Sequence, residues 1–169
     1  MNKENMNLET GHPAIDKQHQ HLAQLVESLD SVCEIRRKTG TACLKCVPDC
    51  SSLCSDRLAN LISELLSFML DHFMYEEKLM RLLPETEECR NHVEGHMYAH
   101  AEISRLLSQL TANLARTDPM QSSLRLQNIV NGWLGQHAIR FDSPLSVSLE
   151  GAYDAEIDFD KELSRLLGG

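Results

Sequence analysis

Four stretches of this chain repeat apolar residues every three or four positions, and proline, glycine or turn residues separate one stretch from the next. This repeat places apolar side chains on one side of an α-helix, so each stretch predicts an amphipathic helix. The predicted helices run from Pro13 to about Arg37, from about Asp56 to Leu83, from about Glu87 to Arg116 and from about Met120 to Phe141. Four such helices with short connections predict an all-α fold, an up-down-up-down four-helix bundle.

The composition agrees with a single helical domain. The chain has 169 residues, of which 42 % are apolar and only 5 % aromatic, and this favours helices that pack on helices. Its net charge of −9 argues against a nucleic acid or an anionic membrane as partner. No apolar run approaches the roughly 20 residues that span a bilayer, and residues 1–12 lack the apolar segment of a signal peptide. We therefore expect a cytoplasmic protein; the sequence leaves its oligomeric state open, a dimer included.

Each predicted helix carries histidine on or near its apolar side. The stretches that carry it read IDKQHQHL, HFMYEEKLM, HMYAHAEI and WLGQHAIRFD. A single histidine on an apolar face is usually a core residue with hydrogen-bonded ring nitrogens. Histidines on four helices at once, accompanied by the carboxylates of Glu76 and Asp142, favour a metal ion instead. Imidazole and carboxylate together suit iron, zinc or manganese.

The same four stretches resemble, in the same order, the ligand motifs of the bacterial hemerythrins, and the resemblance covers roughly residues 11–145. It implies a four-helix bundle that holds two iron ions without haem, joined by an oxo or hydroxo bridge, and that binds O₂ reversibly. In the family pattern, Glu76 and Asp142 bridge the irons. The metal ligands that the motifs imply are His19, His72, Glu76, His96, His100, His137 and Asp142.

The third helix leaves a choice of ligands, because His92, His96 and His100 follow one another at four-residue spacing. We choose His96 and His100, since in the family pattern an apolar residue follows the second histidine three positions on, and Ile103 fits. The pair of His92 and His96 is the alternative. With five imidazoles, two bridging carboxylates and a solvent-derived bridge, a pair of octahedral irons keeps one open position. That position lies on the iron with fewer histidines, where a diatomic ligand could enter.

Two segments lie outside the ligand motifs. Residues 41–54 look like a Cys-rich insertion between the first two helices, and their cysteines form a candidate second metal or redox site. Zinc bound by thiolates, disulfides and unmodified thiols are all left open for Cys43, Cys46, Cys50 and Cys54. The C-terminal residues form a tail or connector, for which a further helix is an alternative. We therefore divide the chain into a di-iron domain, residues 1–145, and a tail, residues 146–169.

The resemblance favours binding over catalysis, so we expect no enzymatic activity as the main function. In many bacterial members the domain is attached to a signalling output such as a diguanylate cyclase, and we expect an O₂ or redox sensor. A free-standing O₂ carrier or store, and an enzyme that consumes peroxide or nitric oxide, are the alternatives. The ferritin-like and oxidase di-iron class needs two Glu-x-x-His pairs. The chain has only Glu9–His12, which Gly11 interrupts, and this argues against that class.

Overall fold

The computed structural model of the chain describes residues 8–32, 48–113 and 118–153. Within these ranges the chain forms helices and no strand, which confirms the predicted all-α fold. A 3₁₀ turn, Leu29–Ser31, follows the first helix, and a π-helical turn, Ala138–Asp142, joins the fourth helix to the fifth. No helix in the described ranges is long and apolar enough to cross a membrane. The α-helices are α1 (Pro13–Ser28), α2 (Pro48–Met80), α3 (Glu87–Ala112), α4 (Pro119–His137) and α5 (Ser143–Tyr153).

Local sequence signals explain where helices begin. Both α1 and α4 start with a proline, whose missing N–H is not needed in the first turn. The side chain of Thr86 accepts a hydrogen bond from the Cys89 N–H (3.2 Å) and caps α3. The Asp118 carboxylate accepts one from the Met120 N–H (3.4 Å) and caps α4. The helical parts of α1 and α3 end earlier than predicted, at Ser28 and Ala112.

The start of α2 differs from the prediction. We expected this helix to begin about two turns later, but it begins at Pro48, so Cys50 and Cys54 are helical residues. The proline was interpreted as a loop signal, whereas it occupies the first helical position, where proline is favoured. Cys54 is buried in the core. Cys43, Cys46 and the side chain of Cys50 lie outside the described residues, so the candidate cysteine site stays a prediction.

Two apolar clusters fill the interior. The small cluster consists of Ile15, Leu79, Met80, Leu145 and Leu149. The chain passes from the small cluster to the large one along α1 and in the reverse direction along α2. Helix α3 begins with Val93 packed against the small cluster and continues into the large one, whereas α4 lies in the large cluster and leads through the π turn to Leu145 in the small one. This order supports the up-down-up-down arrangement, which stays a prediction. The large cluster consists of Leu22, Leu25, Val26, Leu29, Val32, Cys54, Leu58, Ile62, Leu65, Met69, Phe73, Ile103, Leu107, Met120, Leu126, Val130 and Leu134.

Helix α5 closes the small cluster, because its buried Leu145 and Leu149 pack there with residues of α1 and α2. The predicted end of the fourth helix at about Phe141 was wrong, since the chain continues through the π turn into α5. Pro144 is the second residue of α5, where proline does not interrupt a helix. Helix α5 runs across residue 145, at which we divide the chain; that division stays a prediction. A further helix in the tail, the alternative for residues 154–169, lies outside the described residues.

Candidate metal centre

One layer of the bundle is polar, and it lies between the large and the small apolar cluster. Each of the helices α1 to α4 directs histidine into this layer, and α2 and the π turn add a carboxylate each. The side chains in it are between 0 and 4 % exposed. Polar groups at this depth cost free energy unless something binds them. The layer brings together all seven predicted ligands: His19, His72, Glu76, His96, His100, His137 and Asp142.

The seven side chains form two adjoining groups, each of which could hold a metal ion. In each group, one ligand atom per residue lies within 4.8 Å of all the others. The three-histidine group consists of His96, His100, His137 and Glu76. The two-histidine group consists of His19, His72, Glu76 and Asp142. Because Glu76 belongs to both, the two groups share a ligand.

Each carboxylate directs one oxygen to each group. Oε1 of Glu76 lies 3.3 Å from Nε2 of His72, while Oε2 lies 3.0 Å from Nε2 of His100. Oδ2 of Asp142 lies 3.0 Å from Nε2 of His19, while Oδ1 lies 3.2 Å from Nε2 of His96. Both carboxylates therefore stand between the two groups, with their oxygens divided between them.

The π-helical turn explains how Asp142 reaches this layer. In an α-helix, residues five apart differ by about 500°, so Asp142 would point roughly 140° away from His137. A π turn makes i to i+5 hydrogen bonds, and the Ser143 N–H donates to the Ala138 carbonyl in this way. Nε2 of His137 and Oδ1 of Asp142 consequently lie 3.2 Å apart. Such turns occur frequently at functional sites.

The ring nitrogens and carboxylate oxygens that face the centre have few hydrogen-bond partners in the protein. Nε2 of His19 and His72, Oε1 of Glu76 and both oxygens of Asp142 make no hydrogen bond of regular geometry to the residues that the structure describes, although His19 lies 3.0 Å from Asp142 and His72 lies 3.3 Å from Glu76 as ion-pair contacts. Nε2 of His137 lies 2.9 Å from Nε2 of His96 and 3.2 Å from Nε2 of His100. Two nitrogens bound at right angles to a metal about 2.1 Å away are about 3.0 Å apart. The spacing of the nitrogens and the orphaned atoms therefore fit metal ions.

Hydrogen bonds to the outward nitrogens orient the two-histidine group. Nδ1 of His19 donates to the backbone carbonyl of Leu8 (2.9 Å), and Nδ1 of His72 donates to Oε1 of Gln18 (2.9 Å). Since both acceptors bind the Nδ1 proton, the neutral rings present the lone pair of Nε2 to the centre.

Aromatic rings, by contrast, orient the three-histidine group. Nδ1 of His96 and Nδ1 of His137 have no hydrogen-bond partner in the described part of the chain. Nδ1 of His100 lies 3.5 Å from the carboxylate of Glu77. Packing therefore holds these three rings. The stacked pairs are Phe73 with His100, Trp133 with His137 and Phe141 with His96, with centroids 4.0, 4.4 and 5.2 Å apart.

Burial and neighbouring charges shift the pKa values of the site. Burial lowers the pKa of His72 to about 4. Burial acts in the same direction on His96, but the carboxylates of Asp142 and Glu76 outweigh it and raise its pKa to about 9. For both carboxylates, burial opposes ionisation, yet the surrounding histidines hold the pKa well below its usual range. Both are therefore anionic at neutral pH, as metal ligands must be.

Three residues near the site were either left open as ligands or not foreseen from the sequence. His92, the alternative ligand, belongs to neither group; its half-buried ring lies one turn before His96, with centroids 5.4 Å apart. This supports the choice of His96 and His100. The contacts of Leu8 and Gln18 with the ligand rings were not foreseen. Gln18 stands beside a predicted ligand and could have been considered, whereas a backbone carbonyl leaves no signal in a sequence.

A buried layer of histidines and carboxylates within a helical bundle is typical of the class of cation-binding proteins. Over residues 10–140 the chain matches the family model of the hemerythrin HHE cation-binding domain. The chain therefore belongs to the hemerythrin family, as its motifs predicted. The matched range ends two residues before Asp142 and contains the other six side chains of the two groups. Comparison with curated proteins and with solved structures gave no match.

Proposed function

We propose that this domain binds O₂ at a pair of iron ions held by the three-histidine and the two-histidine group. The observation that carries the proposal is the division of the Glu76 and Asp142 oxygens between the groups. A carboxylate placed in this way suits a bridge between two metal ions. With Asp142 counted in both groups, the three-histidine group offers five ligands, one more than the four that close a structural zinc site, and the two-histidine group offers four. Imidazole combined with carboxylate suits iron.

The protein's own residues bind, orient and shield this centre. Ferrous ions, if bound by both groups, would supply two electrons and an open coordination position for O₂. We assign that position to the two-histidine group, because it offers fewer nitrogen ligands. Leu22 and Met69, each one turn from a histidine of that group and at most 1 % exposed, exclude water from it. Exclusion of water protects ferrous iron from oxidation.

We further propose that the domain senses O₂ or redox state rather than turning over a substrate. Asp142, which stands between the two groups, ends the π turn, and Ser143 begins α5 directly after it. A ligand that displaces Asp142 would therefore displace α5, which is packed on α1 and α2 through Leu145 and Leu149. An output such as a diguanylate cyclase, attached beyond α5, is the partner that fits this role.

Anaerobic loading with Fe²⁺, followed by exposure to O₂, tests the proposal. The loaded domain should develop a visible charge-transfer absorption that disappears when O₂ is removed. His72→Ala should abolish this absorption, and His21→Ala, which changes an exposed histidine of α1, should retain it. Binding of zinc alone, without any absorption that depends on O₂, would contradict the proposal. Steady consumption of nitric oxide or peroxide by the loaded protein would instead favour an enzyme.

A further inference from the structure

Residues 8–12, which precede α1 and which we call the strap, reach back to the two-histidine group. The backbone carbonyl of Leu8 accepts the hydrogen bond from Nδ1 of His19, a residue eleven positions later in the chain. A backbone carbonyl occurs at every residue, so this contact depends on how the strap is folded rather than on the side chain of Leu8. Whatever holds the strap in place therefore also holds the ring of His19.

One carboxylate oxygen attaches the strap to α1. Oδ1 of Asp16, in the first turn of α1, accepts hydrogen bonds from both the backbone N–H and the side-chain Oγ1 of Thr10, at 2.7 and 2.8 Å. The same Oγ1 accepts a hydrogen bond from the His12 N–H at 3.2 Å. Thr10 is only 8 % exposed. The strap is thus fixed to the helix that carries His19, three residues after Asp16.

The strap also approaches α5 closely. Gly11 has a φ of +91°, a backbone conformation that glycine adopts without strain, and a Cβ at this position would lie 3.5 Å from Oγ of Ser146. Ser146 is itself buried. The strap therefore turns between α1 and α5, which limits its freedom on a second side.

We propose that the strap is part of the metal centre, and that the hydrogen bonds between Thr10 and Asp16 position it so that the Leu8 carbonyl orients His19. On this view Thr10 is a positioning residue for one metal position alone. The three-histidine group is oriented by stacked aromatic rings of α2, α4 and the π turn, whereas the strap hydrogen-bonds to His19 of the two-histidine group. This inference rests on the proposed function, because it concerns the same site.

Three variants separate the role of the Thr10 hydroxyl from general packing. Thr10→Val keeps the shape of the side chain but removes its hydroxyl, so that only the backbone N–H of residue 10 still donates to Asp16, whereas Thr10→Ser retains the hydroxyl. Loss of a contact that orients a ligand typically weakens metal binding by about 10- to 100-fold. Thr111→Val is the matched control, since it removes an exposed hydroxyl that donates to the Ser108 carbonyl on α3, away from the site.

Calorimetric titration with Co²⁺ provides the measurement, with circular dichroism to verify the fold of each variant. Thr10→Val should bind one equivalent as the unaltered chain does and the second about 10- to 100-fold more weakly. Thr10→Ser and Thr111→Val should bind both normally. In the zinc-loaded protein, the Nδ1 proton of His19, followed by NMR, should exchange with solvent faster in Thr10→Val.

Unchanged binding of both ions by Thr10→Val, or equal weakening of both, would overturn the strap proposal only. Fewer than two ions in the unaltered chain would overturn the proposed function.

Discussion

Asp142→Asn is the substitution whose effect follows most directly from the geometry. The carboxylate is fully buried and lies 3.0 to 3.2 Å from the ring nitrogens of His19, His96 and His137. In the protein without metal, it is the counter-charge that helps to keep the proton on His96. Breaking a buried ion pair by removing one partner costs about 3–5 kcal/mol. For a domain of this size that corresponds to a melting temperature lower by about 6–20 °C.

Thermal denaturation of the chelated protein at pH 7, followed by circular dichroism, measures this effect. The control is Asp30→Asn, because Asp30 is an exposed carboxylate of the 3₁₀ turn, and exposed substitutions typically change stability by about 0.5 kcal/mol or less. Metal titration provides a second test, since Asp142→Asn should weaken both metal positions whereas His19→Ala should weaken one. A melting temperature equal to that of the control, with both ions bound normally, would refute the proposed position of Asp142 between the groups.

Three further predictions concern protons, ligands and packing. Metal uptake should release a proton and strengthen with pH up to about 9, because His96 keeps its proton up to that pKa and must lose it to bind; competition titrations from pH 6 to 9 measure this. His92→Ala should retain two metal equivalents by elemental analysis, and His100→Ala should not. Leu149→Ala should lower the free energy of unfolding in urea by about 2–5 kcal/mol, against about 0.5 kcal/mol or less for the exposed Val147→Ala.

The all-α fold could be predicted because the apolar repeat and the turn residues agree on where most of the helices lie. The start of α3 near Glu87 and that of α4 beside Met120 follow directly from cap residues and proline. The start of α2 was missed, because the apolar repeat is weak in its first two turns and proline signals a loop as readily as a helix start. Helix α5 was not predicted for a related reason, because in the sequence alone Pro144 indicates the end of a helix.

The residues of the candidate site could be predicted from the sequence, but their arrangement in space could be predicted only in part. Residues four apart share a helix face, so the spacing alone places His72 beside Glu76, whereas the full set of ligands was implied by the motifs that resemble those of the hemerythrins. The spacing of five between His137 and Asp142 would separate them on a regular helix, and only the π turn reunites them. Contacts that orient the rings, such as that of the Leu8 carbonyl, depend on tertiary structure. No periodic pattern in a sequence records them.

Anomalous X-ray diffraction from crystals of the iron-loaded domain, collected at the iron absorption edge, tests the central claim most directly. Two peaks are expected, one within each histidine group, with Glu76 and Asp142 between them. A single peak, or iron located away from these side chains, would contradict the proposed pair.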